Sequence, residues 1–141
     1  MKNIFVDTNI LIDLLADRTP FSEDAAQILN YALEKKIAVY VSGISFNNIY
    51  YILKQSCNHN ESIKILKNLQ AWTTIINVTK EIIIKSFDSN FKDFEDAIQF
   101  YSAKTLKKID CIVTRNAKDF KHSDLPILSA KEALMLITSK I

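Results

Sequence analysis

The sequence predicts an α/β fold: a single domain over residues 1–141 with a mainly parallel central sheet of about five strands flanked by helices. Short apolar runs alternate with stretches of helical periodicity, which is typical of strand–helix–strand units. The runs "NIFV" and "CIV" are continuously apolar, as expected for parallel strands that are buried on both faces. A length of 141 residues fits one domain, and we find no linker or internal repeat.

The first half of the chain predicts two strands and four helices. Residues 4–6 form the first apolar run, and helical spacing over 10–15 predicts a short helix that ends near 18–20. Ser22 is expected to cap the next helix, because Glu23 and Asp24 follow where the helix dipole favours acids. Residues 38–41 predict the second strand. Two further helices follow, marked by Phe46, Ile49 and Leu53 and by Ile63, Leu66 and Leu69.

The second half continues the same alternation. Apolar runs predict strands at 74–78, 111–113 and 127–128, and periodicity predicts helices at 79–87 and 93–106. Ser129 and Glu132 have the spacing of a capping box, in which each side chain bonds the other residue's backbone amide. A final helix is therefore predicted to begin there.

Composition excludes several classes of protein. The chain is 48% hydrophobic and 24% charged with a formal net charge of +2, which indicates an ordinary globular domain. Cys57 and Cys111 are predicted to be reduced core residues, and the isolated His59 and His122 offer no zinc-ligand spacing. No apolar run reaches the ~20 residues of a membrane span, and no signal-peptide pattern opens the chain. We therefore expect a cytoplasmic protein with no membrane partner.

Carboxylates stand where parallel strands end. Asp7 follows the first strand, and Asp119 lies shortly after the strand at 111–113. Asp93 and Asp96 are three residues apart and share a helix face. Ligands of such sheets bind beyond the carboxyl ends of the strands, so these acids can meet in one pocket. Oxygen ligands without His or Cys favour Mg²⁺ or Mn²⁺.

Each acid also has a purely structural interpretation. Asp7 and Asp93 can be helix N-caps, Asp119 can stabilise a turn, and Glu95 can be a solvated surface acid. Basic residues surround the same region in sequence. They form either a solvated face or a phosphate-binding surface: Lys104, Lys107, Lys108, Arg115, Lys118 and Lys121.

Three blocks of the sequence resemble the PIN-domain nucleases, especially small bacterial PIN proteins such as the virulence-associated-protein-C-type toxins. The blocks are "FVDTNILIDLL" at 5–15, "DFEDAIQFYSA" at 93–103 and "DCIVTRNAKDF" at 110–120, and "VSGISFNNIYYIL" at 41–53 is similar to a fourth. The resemblance implies a PIN-like fold and a Mg²⁺- or Mn²⁺-dependent endoribonuclease that forms a homodimer. It also implies an RNA substrate and a small antitoxin protein as partner.

The resemblance also implies roles for individual residues. Asp7, Asp96 and Asp119 would be the catalytic acids and, with Asp93, the metal ligands. The supporting residues would be Thr8, Asn9, Asn48, Thr114 and Asn116, and Arg115 and Lys118 would bind RNA. One position departs from the family pattern, because Asn48 stands where a second acid, usually Glu, is found. An amide oxygen can bind a hard cation but brings no charge, so metal affinity should be reduced.

Three hypotheses therefore follow from the sequence. The first is a metal-dependent endoribonuclease, the toxin of a type II toxin–antitoxin pair. The second is a degenerate PIN domain with weak or no catalysis, which binds RNA or a protein partner. The third is an α/β domain whose acids only cap helices.

Overall fold

A parallel five-stranded sheet forms the centre of the molecule in the computed structural model, which describes residues 2–139. The strands are β1 (Lys2–Val6), β2 (Ile37–Ser42), β3 (Thr74–Ile76), β4 (Cys111–Val113) and β5 (Ile127–Leu128). Their order across the sheet is β3-β2-β1-β4-β5, and all four pairings are parallel. The predicted fold class and strand number are confirmed.

Seven helices cover the sheet in the described part of the chain. They are α1 (Thr8–Leu15), α2 (Phe21–Leu33), α3 (Gly43–Leu53), α4 (His59–Ala71), α5 (Lys80–Phe87), α6 (Phe94–Lys104) and α7 (Ala130–Thr138). A 3₁₀ turn spans Ala117–Phe120. No helix within residues 2–139 combines the length and apolarity that crossing a membrane requires.

The central strands β1 and β4 are buried on both faces: successive side chains of a strand point to opposite sides, and each side packs in a core cluster. Ile4 and Val6 of β1 belong to the larger core cluster, while Phe5 packs in the smaller cluster on the other face. β4 divides in the same way, with Val113 in the larger cluster and Ile112 in the smaller one. This double burial explains why residues 4–6 of β1 and residues 111–113 of β4 are continuously apolar in sequence.

Three sequence predictions are corrected by the structure. Ser22 does not cap α2: Pro20 holds the cap position, and the Ser22 amide already bonds the Arg18 carbonyl at 2.8 Å. The third strand ends at Ile76 and not at residue 78, because Ile76 pairs with Ser42, the last residue of β2. Cys57 is only partly buried, whereas Cys111 is buried as predicted.

The capping signals near the C-terminus are confirmed. Ser129 caps α7, with the Glu132 amide donating to Ser129 Oγ at 3.1 Å and the Ser129 amide donating to Glu132 Oε1 at 2.9 Å.

The point where strand order reverses lies between β1 and β4. From β1 the chain crosses first to β2 on one side, and β4 is later added on the other side. Val6 is paired with Val113, and the Asp7 amide donates to the Val113 carbonyl at 2.9 Å. The carboxyl ends of these two strands therefore bring Asp7 and Thr114 side by side, where a binding crevice is expected in an open α/β sheet.

Candidate active site

A cavity of about 740 Å³ opens at this reversal point, and carboxylates line it. They come from the end of β1, from the start of α6 and from the 3₁₀ turn: Asp7, Asp93, Glu95, Asp96 and Asp119. Asp7 and Asp119, which were predicted to follow strand ends, thus lie at one crevice with the acids at the start of α6.

Asp7 is the most buried of these acids, with only 4% of its surface exposed. Gln99 donates to its Oδ1 at 2.9 Å, and the Thr114 hydroxyl donates to its Oδ2 at 2.6 Å. Burial raises the pKa of Asp7, while these two hydrogen bonds oppose that rise. Asp7 also caps α1 by accepting a bond from the Asn9 amide at 3.4 Å, so the capping interpretation and a role in the cavity are compatible.

Asp96 is half-buried and feels the charge of the whole cluster. Burial is the main cause that raises its pKa to about 7, and the carboxylates of Asp7, Asp93, Asp119 and Glu95 raise it further. At neutral pH the ionised form of Asp96 is therefore destabilised by desolvation and by repulsion from the neighbouring carboxylates. A bound cation would relieve this repulsion.

The other acids combine local and cavity roles. Asp93 caps α6, its Oδ1 accepting a bond from the Asp96 amide at 3.0 Å. Asp119 lies in the 3₁₀ turn, where its amide bonds the Asn116 carbonyl at 2.9 Å. Glu95, for which a surface role was an alternative, lines the cavity and acts on the pKa of Asp7 and Asp96.

The chemistry of the donor set fits a hard divalent cation. Within residues 2–139, no three His, Cys, Asp or Glu side chains converge in a way that would hold a metal ion by themselves. Mg²⁺ usually keeps several waters and takes only one or two protein carboxylates, so a dedicated cage is not required. The five acids around one water-accessible crevice, and the raised pKa of Asp96, support cation binding there.

The residues predicted to support the catalytic acids after β1 and after β4 lie close together at the cavity. Thr8, Asn9 and Asn116 line the cavity. Thr114 is buried beside Asp7, and its Oγ1 accepts bonds from the Asn116 amide at 3.1 Å and from Asn9 Nδ2 at 3.4 Å. These contacts fix the loop after β4 against the start of α1.

Two predicted residues are not brought to the cavity. Asn48 is half-buried on α3 and is not among the described lining residues; the α3 side chain that reaches the site is Ser45, whose hydroxyl lies 2.7 Å from Thr8 Oγ1. Arg115 forms a two-pronged ion pair with the buried Asp13, at 2.6 and 3.1 Å, and its guanidinium covers the Phe21 ring. Arg115 is therefore paired with Asp13 in this structure, and its predicted contact with RNA stays a prediction.

Sequence reasoning missed several residues that line the cavity. Gln99 follows Asp96 by three residues, and this helical spacing was a signal that both share one face. Lys92 and His122 had no such signal, since they lie in loops, and Lys121 was noted only as part of the basic run. With the predicted Lys118, these residues add basic side chains to the lining of the cavity: Lys92, Lys118, Lys121 and His122.

Comparisons with known proteins agree with this arrangement. A sequence profile described as "PIN domain" matches residues 3–118. Ribonuclease VapC1 of Aquifex aeolicus (strain VF5) is 27% identical over 137 residues, which cover 93% of this chain and 92% of the relative.

Solved structures show a similar fold. A toxin–antitoxin complex from Klebsiella pneumoniae contains a chain that is 26% identical, with a TM-score of 0.60 over 90% of this chain and 97% of the other. VapBC2 from Rickettsia felis, solved bound to a DNA fragment from its promoter, has a TM-score of 0.67 at 16% identity, covering 90% and 98% of the two chains.

Proposed function

The chain belongs to the PIN domain family, and from this membership we propose that it is an endoribonuclease that requires a divalent cation and hydrolyses RNA phosphodiesters. The observation that carries the proposal is the set of carboxylates around one crevice at the point where strand order reverses. The name of the Aquifex relative, a ribonuclease, supports the choice of RNA as substrate.

Asp7, Asp96 and Asp119 are the proposed catalytic acids, with Asp93 as a further ligand of Mg²⁺ or Mn²⁺. When bound, such a cation supplies Lewis-acid chemistry, which activates water and offsets charge on the phosphate. The chain itself holds the carboxylates in place: the first turn of α6 carries Asp96, and Thr114 fixes one oxygen of Asp7. Thr8, Asn9 and Asn116 complete the support of this loop.

The basic residues of the cavity give the proposed RNA contacts. Lys118 was predicted for this role, and Lys92 and Lys121 line the same crevice. Lysine ammonium groups attract phosphates whatever the RNA sequence, so they position the RNA backbone without distinguishing its bases. Acids and lysines that line one cavity would hold a scissile phosphate and its neighbours at the same time.

We also propose that the protein is the toxin of a type II toxin–antitoxin pair and acts in the cytoplasm as a homodimer. Its structural neighbours include chains from a toxin–antitoxin complex and from VapBC2, which supports a small antitoxin as partner. The dimer follows from the family resemblance.

A second candidate is a degenerate PIN domain that binds RNA or a protein partner with little catalysis. It is favoured by the absence, within the described chain, of three acidic or histidine side chains that converge on one metal position. Helix α3, where the resemblance implied a second acid at Asn48, contributes no carboxylate to the cavity, and this favours the same alternative.

The substitution Asp7→Asn separates the two candidates. Asn keeps an oxygen that can cap α1 but loses the charge, so we expect Mn²⁺-dependent RNA cleavage to fall at least about 100-fold while the far-UV spectrum is unchanged. Asp24→Asn, an acid on α2 away from the cavity, is the matched control and should cleave like the wild type. Cleavage by Asp7→Asn at the wild-type rate would remove Asp7 from the site, and RNA binding without cleavage by the wild type would favour the degenerate domain.

A further inference from the structure

Gln99 is a fully buried polar residue in the middle of α6, with 1% of its surface exposed. Its side-chain amide lies between two residues at the end of β1 and the start of α1. Nε2 is 2.9 Å from Asp7 Oδ1, and Oε1 is 2.9 Å from the Thr8 amide nitrogen and 3.2 Å from Thr8 Oγ1. Gln99 therefore connects α6 directly to the most buried acid of the cavity.

The orientation of the Gln99 amide is fixed by the chemistry of its partners. A backbone N–H can only donate a hydrogen bond, so the atom that faces Thr8 must be the amide oxygen. The NH₂ group must then face Asp7, whose ionised carboxylate can only accept. A rotated amide would place a donor against a donor and an acceptor against an acceptor.

The direction of the hydrogen bond to the other carboxylate oxygen of Asp7, Oδ2, is also fixed. Thr114 Oγ1 accepts bonds from the Asn116 amide at 3.1 Å and from Asn9 Nδ2 at 3.4 Å. Its own proton is therefore left to donate to Asp7 Oδ2, at 2.6 Å. Gln99 from α6 and Thr114 from the end of β4 thus fix the plane of the Asp7 carboxylate from opposite sides.

The two oxygens of Asp7 differ in their remaining capacity. Oδ1 accepts from Gln99 at 2.9 Å and from the Asn9 amide at 3.4 Å, whereas Oδ2 accepts from Thr114 alone. A carboxylate oxygen offers about two lone-pair sites, so Oδ1 is filled and Oδ2 keeps one site. A cation that enters the cavity would find Oδ2 available.

We propose that Gln99 is a positioning residue that saturates Oδ1 of Asp7, holds the plane of the carboxylate and leaves Oδ2 for a divalent cation. This inference rests on the proposed function, since it assigns Asp7 to a cation. Residues that hold a metal ligand by hydrogen bonds typically change metal affinity by about 10- to 100-fold when they are removed. No other described side chain donates to Oδ1 of Asp7.

The substitution Gln99→Met tests the role, because Met has a similar length and volume but neither donates nor accepts like an amide. We expect titration calorimetry of the full chain with Mn²⁺ to show an affinity about 10-fold or more below that of the wild type. In RNA cleavage at saturating substrate, kcat should fall while KM for RNA is unchanged, because the lysine contacts are left intact. Gln99→Asn, which keeps the amide but is one methylene too short, replaces Gln99→Met if that variant does not fold.

Ser102→Ala is the matched control on the same helix. Ser102 is also fully buried; its hydroxyl donates to the Ile98 carbonyl at 2.7 Å and lies 3.2 Å from Ser42 Oγ, without a hydrogen bond to Asp7. This variant should lose stability in urea but bind Mn²⁺ with wild-type affinity.

The outcomes separate this inference from the proposed function. Wild-type affinity in folded Gln99→Met or Gln99→Asn would overturn the positioning role, and so would an equal loss in Ser102→Ala. If the wild type itself bound no Mn²⁺, the proposed function would fail first, and this inference with it.

Discussion

Asp96 shows at the scale of one residue how the site and the stability of the fold are coupled. Its pKa is raised to about 7 from an ordinary value of 3.8, mainly by burial and then by neighbouring acids. The folded protein therefore binds this proton more tightly than the unfolded chain does. Without metal, the free energy of unfolding should fall as pH rises from about 4 to about 7, because the unfolded chain ionises first.

The substitution Asp96→Asn should remove this contribution. After allowance for solvent screening at a half-buried group, we expect the variant to gain about 1–2 kcal/mol relative to the wild type between pH 4 and pH 7. Urea unfolding of both proteins in chelator, at several pH values, measures the difference, in which titrating acids away from the cavity cancel. Parallel stability curves would show that Asp96 carries no raised pKa.

At the scale of elements, the ion pair of Arg115 with Asp13 joins the loop after β4 to α1. Asp13 is 1% exposed, and Arg115 contacts it at 2.6 and 3.1 Å, while Arg18 is 4.0 Å away. Asp13 is buried but the Arg115 side chain is 31% exposed, so Arg115→Met leaves a buried carboxylate short of hydrogen bonds and should cost about 1–3 kcal/mol of stability. Combining it with Asp13→Asn should recover much of this loss in urea unfolding.

RNA binding distinguishes this structural role from the predicted contact with RNA. We expect folded Arg115→Met to bind RNA as tightly as the wild type, whereas Lys118→Met should bind more weakly and with a smaller dependence on salt. If Arg115→Met lost as much affinity for RNA as Lys118→Met, Arg115 would be a direct RNA contact, as the family resemblance implies.

For the whole molecule, the cavity predicts a link between metal and melting temperature. A cation that binds only the folded chain adds about 2.7 kcal/mol of stability at a concentration 100 times its Kd. Mn²⁺ should therefore raise the melting temperature of the wild type, and Asp96→Ala should lose most of this rise. A wild-type melting curve that does not move at millimolar Mn²⁺ would favour the degenerate domain.

The features that sequence could predict are those with a local cause. The apolar runs of β1 and β4 indicate strands that are buried on both faces. Asp7 and Asp119 follow the carboxyl ends of these strands, and in a parallel sheet all carboxyl ends lie at the same edge. The ion pair of Asp13 with Arg115 joins residues that are 102 positions apart, and Gln99 bonds an acid 92 positions away. Neither pairing leaves a periodic signal, so only the assembled sheet reveals it.

The pairing of β1 with β4 also has a consequence for synthesis and folding. Val6 pairs with Val113, so the central contact of the sheet is highly non-local, and such contacts form late because a long loop must close first. Asp7 leaves the ribosome well before Asp96 and Asp119 have been translated. A ribonuclease built in this way cannot assemble its acids until the segment that carries Asp119 has been translated.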